Sequence, residues 1–314
     1  MQNQIQSDAQ YSADYDDEID LRELFTVLWA GRNLVISVTS LFAIVAVIIA
    51  LTLPNEYKAT AIIAPAQSNN GSMLGGMASQ FGGLASLAGI NIGGEQGGET
   101  LEAMEIMQSW GFIKAFINKN NLAVELFAVD GWDRGANQLS IDRELYDIDT
   151  KHWVRSPPPG KSIEPTSWEL YKHFSQRLSV SSDKKTGLVS VSIEYFSPLV
   201  AKEWVDLFVV AINTHMRERK LEQVNSNIQY LEAQIEKTAI ADMHEVFYQI
   251  IEGQIKNKML AEASPEYAFT TVSPAMQPEE KSKPKRALIC ILATLLGGLL
   301  AVLVVLIRHY SAKR

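Results

Sequence analysis

The hydrophobic pattern of the chain is dominated by two uncharged apolar segments, residues 34–53 and 287–307. Each is long enough to cross a hydrocarbon core of about 30 Å as a helix that rises about 1.5 Å per residue. A core helix of a soluble protein would have a polar face, and neither segment has one. A cleaved signal peptide fits the first segment poorly, because its apolar run exceeds about 15 residues and the residues before it are acidic. The pattern therefore predicts two membrane-spanning helices.

The remaining chain contains both predicted helices and predicted strands. A short amphipathic helix is expected before the first apolar segment, because Asp20 and Glu23 form a capping box. The other predicted elements are a strand at residues 57–64, helices at 101–119 and 168–177, and a hairpin of strands 178–182 and 187–195.

Residues 71–98 are rich in glycine but also carry large apolar side chains such as Met73, Phe81 and Ile90. This composition is too apolar for a free linker and too rich in glycine for a stable isolated helix. Two interpretations stay open. The segment is a flexible surface loop, or it becomes ordered only against neighbouring copies of the chain in a ring.

A helical pattern starts at Ser197 and Pro198, which suit the N-cap and first helical positions, and continues to about residue 262. Gly253 could kink such a helix. Its apolar residues keep a heptad-like spacing, which is typical of helices that pack against other helices. The helix either lies across its own domain or packs against copies of itself. In the second case we expect an oligomer interface that contains Leu221, Val224, Ile228, Leu231 and Ile235.

The segment before the second apolar helix combines prolines, which stiffen it, with basic residues, which suit lipid headgroups. Within the helix itself, small residues recur every four positions, a spacing that lets helices approach closely. The segment is either a solvated linker or a rigid connection to a partner in the membrane. For the second alternative we predict a coupling surface of Pro274, Pro278, Lys283, Pro284, Lys285, Arg286, Ala293, Gly297 and Ala301.

Composition and motifs give no support for catalysis. The net charge is −8, with acids concentrated before the first apolar segment, which argues against a nucleic-acid partner. The single cysteine, Cys290, lies inside the second apolar segment and has no partner for a disulfide within the chain. The histidines lack metal-ligand spacing, and neither a phosphate-binding loop nor a serine nucleophile elbow occurs. Asp147 and Asp149 have the spacing of a metal-binding acidic pair in glycosyltransferases, but one such triplet is a weak signal. We expect no catalytic residue, cofactor or metal.

Charge does not orient the chain, because lysines and arginines flank the two apolar segments equally on both sides. Only one long domain has to be translocated, and we therefore expect both termini in the cytoplasm. The predicted layout is a cytoplasmic tail and juxtamembrane helix at residues 1–33, membrane helices at 34–53 and 287–307, a translocated domain at 54–286 with a long helix at about 198–262, and a cytoplasmic end at 308–314.

Five separate motifs occur in order along the chain: DEIDLREL at residues 17–24, SPLVAKEWVDL at 197–207, YLEAQ at 230–234, PEY at 265–267 and EKSKPKR at 280–286. Taken together, they resemble the Wzz chain-length determinant family, the class 1 polysaccharide co-polymerases of the Gram-negative inner membrane. The resemblance spans nearly the whole chain. A glycine that the family places twelve residues after a Pro-Lys lysine falls on Gly297, and the next family glycine falls on Ala301, which is small but different.

The resemblance implies an α+β periplasmic domain with a long projecting helix, two transmembrane helices and a ring-shaped homo-oligomer. It further implies a non-enzymatic regulator of the chain length of O-antigen or a related surface polysaccharide. Its partners would be the Wzy polymerase, the growing undecaprenyl-linked polysaccharide and membrane lipid. The kinase of class 2 relatives is not expected, because only seven residues follow Ile307. An adaptor or scaffold of a polysaccharide export machine is the alternative function, whereas a two-helix membrane sensor would need a larger output domain.

Overall fold

The computed structural model describes residues 21–66, 95–238 and 240–312. Most of the glycine-rich segment at residues 71–98 lies outside these ranges, so both interpretations of that segment stay open. The chain divides into two compact units. The helical unit comprises Met1–Leu53 with Lys285–Arg314, and the large unit comprises Pro54–Pro284.

The described elements confirm the predicted class, an α+β domain with a long helix and an apolar helix near each end of the chain. In chain order they are α1 (Leu21–Ala30), α2 (Arg32–Thr52), β1 (Tyr57–Pro65), α3 (Glu95–Gln108), α4 (Trp110–Lys119), α5 (Ala123–Phe127), β2 (Val129–Asp133), β3 (Gln138–Ile141), β4 (Tyr146–Asp147), β5 (His152–Trp153), α6 (Ser167–Ser175), β6 (Leu178–Ser182), β7 (Val189–Tyr195), α7 (Pro198–Lys237), α8 (Ala241–Ala263), β8 (Phe269–Ser273) and α9 (Arg286–Ala312).

A four-stranded antiparallel sheet in the order β6-β7-β1-β8 forms the centre of the large unit. Its inner face follows the period of two that strands require, so that Ala59, Ala61 and Ile63 of β1 are buried beside Val191 and Ile193 of β7. The hairpin of β6 and β7 was predicted. Strand β8 was not, because its short run of Phe, Thr and Val residues lies far along the chain from β1, its partner in the sheet.

The first third of α7 packs on the sheet and completes the core. Ser197 caps this helix, and its hydroxyl accepts a hydrogen bond from the Val200 amide at 3.5 Å. Phe208 is fully buried, and its ring centre lies 5.3 Å from that of Phe112 and 5.1 Å from that of Phe116. These edge-to-face arrangements add to the burial of apolar area. The core therefore joins α4, α7 and the sheet.

The helix predicted over residues 101–119 is two helices, because Ser109 has extended backbone geometry and caps α4. The Ser109 hydroxyl accepts a hydrogen bond from the Phe112 amide at 3.3 Å. The helical run expected at about residues 198–262 is also divided. It is interrupted between the end of α7 at Lys237 and the start of α8 at Ala241, whereas Gly253, which could have kinked it, lies inside α8.

Helices α7 and α8 form an antiparallel pair. Residues 257–261 near the end of α8 line the same cleft as residues 216–226 in the middle of α7. The side chain of Asn213 also bonds to the backbone of Ala268 and Phe269, just beyond α8. The chain therefore leaves the sheet along α7 and returns along α8, and we call the two helices the hairpin.

Candidate functional site

The two ends of the large unit are joined by backbone hydrogen bonds. The Glu56 amide donates to the Lys283 carbonyl at 2.9 Å, and the Glu56 carbonyl accepts from the Ser282 amide at 2.8 Å. The Ser282 hydroxyl donates to the same carbonyl at 3.1 Å. Glu56 follows α2 by a few residues and Lys283 precedes α9 by a few. The bridge therefore holds together the two chain segments that connect the large unit to α2 and α9.

Charged side chains reinforce this junction. Lys283 forms ion pairs with Glu194 of β7 and, at 3.8 Å, with Glu56. The hydrogen bond to Glu194 holds the pKa of Lys283 above its usual value. Arg177 pairs with Glu56 at 3.4 Å and lies over the Phe196 ring at 4.7 Å. We call Glu56, Arg177, Glu194 and Lys283 the junction cluster.

The junction cluster changes how the predicted coupling residues are understood. Lys283 was expected to reach lipid headgroups or a partner, yet its ammonium group is engaged with two carboxylates of its own domain. Pro274 and Lys285 are exposed, while Pro278 and Pro284 are half-buried. The proline-rich segment is therefore held to the large unit at Lys283. Pro274 and Lys285, which lie on either side of Lys283 in the chain, stay accessible.

The small residues of α9 contact α2. A Cβ atom added at Gly297 would lie 2.6 Å from Phe42 Cβ, a distance that real Cβ atoms do not adopt. Ala301 is fully buried, and at the other end of the pair a Cβ added at Gly31 would meet Val305 at 2.6 Å. Close approach of this kind is what small residues allow between membrane helices. Gly297 and Ala301 thus belong to an antiparallel helix pair within one protomer, and Ala293 is half-buried on the same helix.

The predicted oligomer face of α7 is covered within the protomer. Val224 is buried, and the other four predicted members are half-buried in a helix that is otherwise largely exposed over residues 221–237. This side of α7 packs against α8. On α8, Ile251 is buried and His244 and Phe247 are half-buried, so these residues mark the side of α8 that faces α7.

Helix α8 also presents an apolar stripe that nothing among the described residues covers. Val246 is 46% exposed and Ile250 is 43% exposed, and both lie on one side of the helix at three- and four-residue spacing. Met243 lies three residues before Val246, continues the same spacing and is 40% exposed. Isolated exposed apolar residues are normal, whereas a continuous stripe indicates an interaction surface.

The candidate chemistry at Asp147 is explained by local structure. The carboxylate of Asp147 accepts hydrogen bonds from the Thr150 hydroxyl at 2.7 Å and from the Asp149 amide at 2.9 Å. These bonds, the one from Thr150 first, hold the pKa of Asp147 below its usual value. The side chain therefore stabilises the turn between β4 and β5. Among the described residues, no group of three or more His, Cys, Asp or Glu side chains is arranged to hold a metal ion.

Sequence reasoning missed most of the junction cluster and the buried Asn213. Glu56 and Arg177 are far apart along the chain, and neither belongs to a motif that marks a contact. Asn213 interrupts the apolar run of α7, and a polar residue on a buried helix face is the one signal that could have identified it.

Comparisons with known proteins agree with these features. Residues 17–119 match the family model for Wzz, described as chain length determinant protein. Residues 243–310 match the model for GNVR, described as a G-rich domain on putative tyrosine kinase. The comparison with curated proteins gives no match.

Two solved structures are similar to the chain. One is a full-length bacterial polysaccharide co-polymerase, at 16% identity, covering 94% of this chain and 99% of the other, with a TM-score of 0.38. The other is a fragment of WzzB, a polysaccharide co-polymerase from Salmonella Typhimurium, at 12% identity, covering 73% of this chain and 100% of the other, with a TM-score of 0.33. At TM-scores this low, neither likeness carries an argument about this protein.

The family match begins in the acidic motif before α2 and continues through α4, so it includes the first membrane-length helix and the first strand of the sheet. Two helices of the chain are long and apolar enough to span a membrane. Residues 17–119 therefore resemble a chain length determinant domain, and the resemblance to the Wzz family is confirmed over these residues.

Proposed function

We propose that this protein is a non-enzymatic regulator of the chain length of a surface polysaccharide of the O-antigen type. It acts as a homo-oligomeric ring in the bacterial inner membrane, beside a Wzy-type polymerase that extends an undecaprenyl-linked glycan. The observation that carries the proposal is the chain length determinant match over residues 17–119, on a chain whose single large unit lies between two membrane-length helices. In this role the protein catalyses no bond formation.

In the proposed topology, both termini are cytoplasmic and residues 54–286 are periplasmic. The bridge between Glu56 and Lys283 supports it, because a domain whose first and last residues are paired can be carried by two helices that enter from the same side. The test replaces Cys290 with Ala and introduces single cysteines at Asp14, Ser140 or Lys313. In cells with a permeabilised outer membrane, an impermeant thiol reagent should label only the Ser140→Cys protein, and labelling of either terminus would contradict the topology.

Self-association in this proposal uses the exposed stripe of α8. The face of α7 that was expected to contact other copies is packed against α8, which supports α8 as the surface that remains available. Covering Val246 and Ile250 in an oligomer would remove apolar area from water, which is favourable.

Coupling to the polymerase would use the faces of the α2 and α9 pair that point away from their contact. The exposed apolar residues of α9 include Leu292, Leu296 and Leu299. The small-residue side with Gly297 then acts indirectly, by setting the distance between the helices. The junction cluster would act in the same way, by holding together the two segments that lead to these helices.

The experiment that tests the function is a gel of the surface glycan from a deletion strain. A length regulator predicts that the polymer is still made but loses its modal length, and a plasmid copy of the gene should restore that length. The export adaptor predicts instead that surface glycan is lost. Complete loss would overturn the proposal, and an unchanged length distribution would reject both alternatives.

A further inference from the structure

We infer that a cleft in the large unit binds a neutral sugar residue of the glycan whose length the protein controls. The inference rests on the proposed function, because it names the site at which the regulated polymer would be recognised. The cleft has a volume of about 690 Å³, within the usual range of about 300–1,000 Å³ for ligand sites. Its lining includes Tyr57 at the start of β1, Trp132 and Arg134 at the end of β2, and Gln277, Glu279 and Glu280 beyond β8.

Trp132 gives the cleft a fixed aromatic wall. Its ring centre lies 5.8 Å from that of Tyr57, with the two planes at 84°, and its indole nitrogen donates to Asn137 Oδ1 at 3.1 Å. The ring is half-buried. Its polar edge is thus bonded and its orientation is held before any ligand arrives. A rigid aromatic side chain is suited to the apolar face of a sugar ring and loses little conformational entropy on contact.

The polar side chains of the cleft suit hydroxyl groups. The guanidinium of Arg134 only donates hydrogen bonds, the carboxylates of Glu279 and Glu280 only accept them, and the amide of Gln277 does both. All four residues are exposed. The ion pairs found among the described residues do not involve Arg134, Glu279 or Glu280. These groups are therefore not already engaged with another charge.

Charge decides between a sugar and an anion. The lining carries one arginine and two glutamates, so its net charge is negative. A phosphate of a lipid headgroup or of the lipid carrier would meet two carboxylates for one guanidinium, which is unfavourable. A neutral polyol has no such cost, and its hydroxyls can pair with both kinds of group.

The position of the cleft along the chain also suits a glycan held by a lipid. Pro278, one of the residues predicted for coupling, lies in its lining. Tyr57 is a few residues beyond the end of α2 at Thr52, and Glu280 is a few residues before the start of α9 at Arg286. Tyr57 and residues 277–280 of the lining thus adjoin the membrane segments in sequence, whereas Trp132, Arg134 and Pro198 come from elsewhere in the chain.

Direct binding to the full-length protein in lipid nanodiscs tests the inference. The probe is a set of fluorescent oligosaccharides with one to four repeat units, released from the host's own lipid-linked polysaccharide and read by fluorescence polarisation. The unmodified protein should bind them saturably. Trp132→Leu should weaken binding by about tenfold, the size expected from the loss of an aromatic contact. Arg134→Gln alters an exposed side chain and should weaken binding without affecting folding.

Trp168→Leu is the matched control, because Trp168 is an exposed tryptophan of α6 that does not line the cleft. Its affinity should equal that of the unmodified protein. The inference is overturned if Trp132→Leu and Arg134→Gln both bind like the control, or if they lose co-purification of the polymerase while sugar binding is unchanged. If deletion of the gene changes glycan length but the unmodified protein binds no oligosaccharide, this inference fails and the proposed function stands. If deletion leaves the length unchanged, the proposed function fails.

Discussion

The body of the large unit is its sheet with the helices packed on it. It differs from the far half of the hairpin in how completely polar side chains are hydrogen-bonded and apolar side chains are buried. In the body, the buried Asn213 and Arg155 both have hydrogen-bond partners, and the apolar face of the sheet is covered. In the far half of the hairpin, between Val224 and Ile255, α8 keeps a stripe of exposed apolar residues. The proposed assembly surface therefore lies in the second region, where apolar side chains are left uncovered.

This difference shows why periodicity alone does not locate an oligomer interface. The heptad-like spacing of α7 correctly indicates that the helix packs against another helix, but the partner is α8 of the same chain. The small-residue spacing of α9 behaves similarly, since Gly297 contacts α2 of the same chain. Spacing identifies a packing face, whereas only the fold shows which element covers it.

The largest effect is expected at Asn213, where the body holds the returning end of the hairpin. Its Oδ1 accepts from the amides of Ala268 and Phe269 at 2.9 and 2.8 Å, and its Nδ2 donates to the Phe269 carbonyl at 2.9 Å. Asn213→Leu removes all three bonds at a buried position and should lower the free energy of unfolding by about 3 kcal/mol. Chemical denaturation of the detergent-solubilised protein measures this.

Asn225→Leu is the control for that variant, because Asn225 lies on the exposed side of the same helix. Its free energy of unfolding should change by about 0.5 kcal/mol or less. Equal effects of the two substitutions would show that the hydrogen bonds of Asn213 do not anchor the hairpin.

A second effect is expected where Arg155 and Glu169 pair inside the body. The guanidinium lies 2.9 Å from the Glu169 carboxylate, and only 6% and 12% of the two side chains are exposed. The hydrogen bond from Arg155 is the main cause that lowers the pKa of Glu169 from about 4.5 to about 2. Because this pKa is depressed on folding, the stabilisation is present above pH 4.5 and is lost as the pH falls towards 2.

Glu169→Gln should therefore lower the free energy of unfolding at pH 7 by about 2 kcal/mol and flatten its decline between pH 4.5 and 2. Asp206→Asn is the control, since Asp206 pairs with Lys202 at the surface and such pairs contribute about 0–1 kcal/mol. The role of this pair is contradicted if the free energy of unfolding of the Glu169→Gln protein falls between pH 4.5 and 2 as steeply as that of the unmodified protein.

A smaller loss of stability is expected in the helical unit, where two adjacent glycines form a matched pair. A side chain at Gly297 would collide with Phe42, whereas a Cβ at Gly298 meets nothing closer than Thr39 Oγ1 at 3.8 Å. Gly297→Leu should lower thermal stability in detergent by about 1 kcal/mol or more and broaden the glycan length distribution. Gly298→Leu should change neither, and partial rescue of Gly297→Leu by Phe42→Ala would identify the contact.

The sequence predicted the parts of this protein that depend on local signals. The apolar segments follow from their length, and the paired strands β6 and β7 follow from alternation. The cap at Ser197 follows from the preference of serine for the N-cap. The break between α7 and α8 could not be predicted, because residues 238–240 contain neither glycine nor proline. The packing of α8 back on α7 is a tertiary effect.

For the candidate sites, the sequence predicted which kinds of residue are present but not which residues come into contact. The basic and proline-rich segment was recognised, but the engagement of Lys283 by Glu194 and Glu56 depends on strands that come together in the sheet. The cleft around Trp132 combines residues from four distant parts of the chain, and no spacing rule connects Tyr57, Trp132 and Glu280.

The smallest effect on stability, with the most informative effect on assembly, is expected from the exposed stripe of α8. In the double variant Val246→Asp with Ile250→Asp, both changed positions are already exposed to water. The unfolding midpoint of the protomer should therefore change little. A neighbouring copy that covered these positions would have to bury unpaired carboxylates, which is costly, so the oligomer should dissociate. Light scattering of the detergent-solubilised protein measures the mass, and circular dichroism checks the fold.

The matched variant places the same charges on the other helix of the hairpin. Ile228→Asp with Leu231→Asp alters the half-buried face of α7 that packs on α8, so it should destabilise the hairpin itself before it affects association. If that variant stays fully folded but becomes monomeric, while the α8 variant keeps its mass, the interface lies on α7 as the heptad spacing alone indicated. The reverse result assigns assembly to α8, because only a surface that the protomer leaves uncovered can lose its partner without loss of the fold.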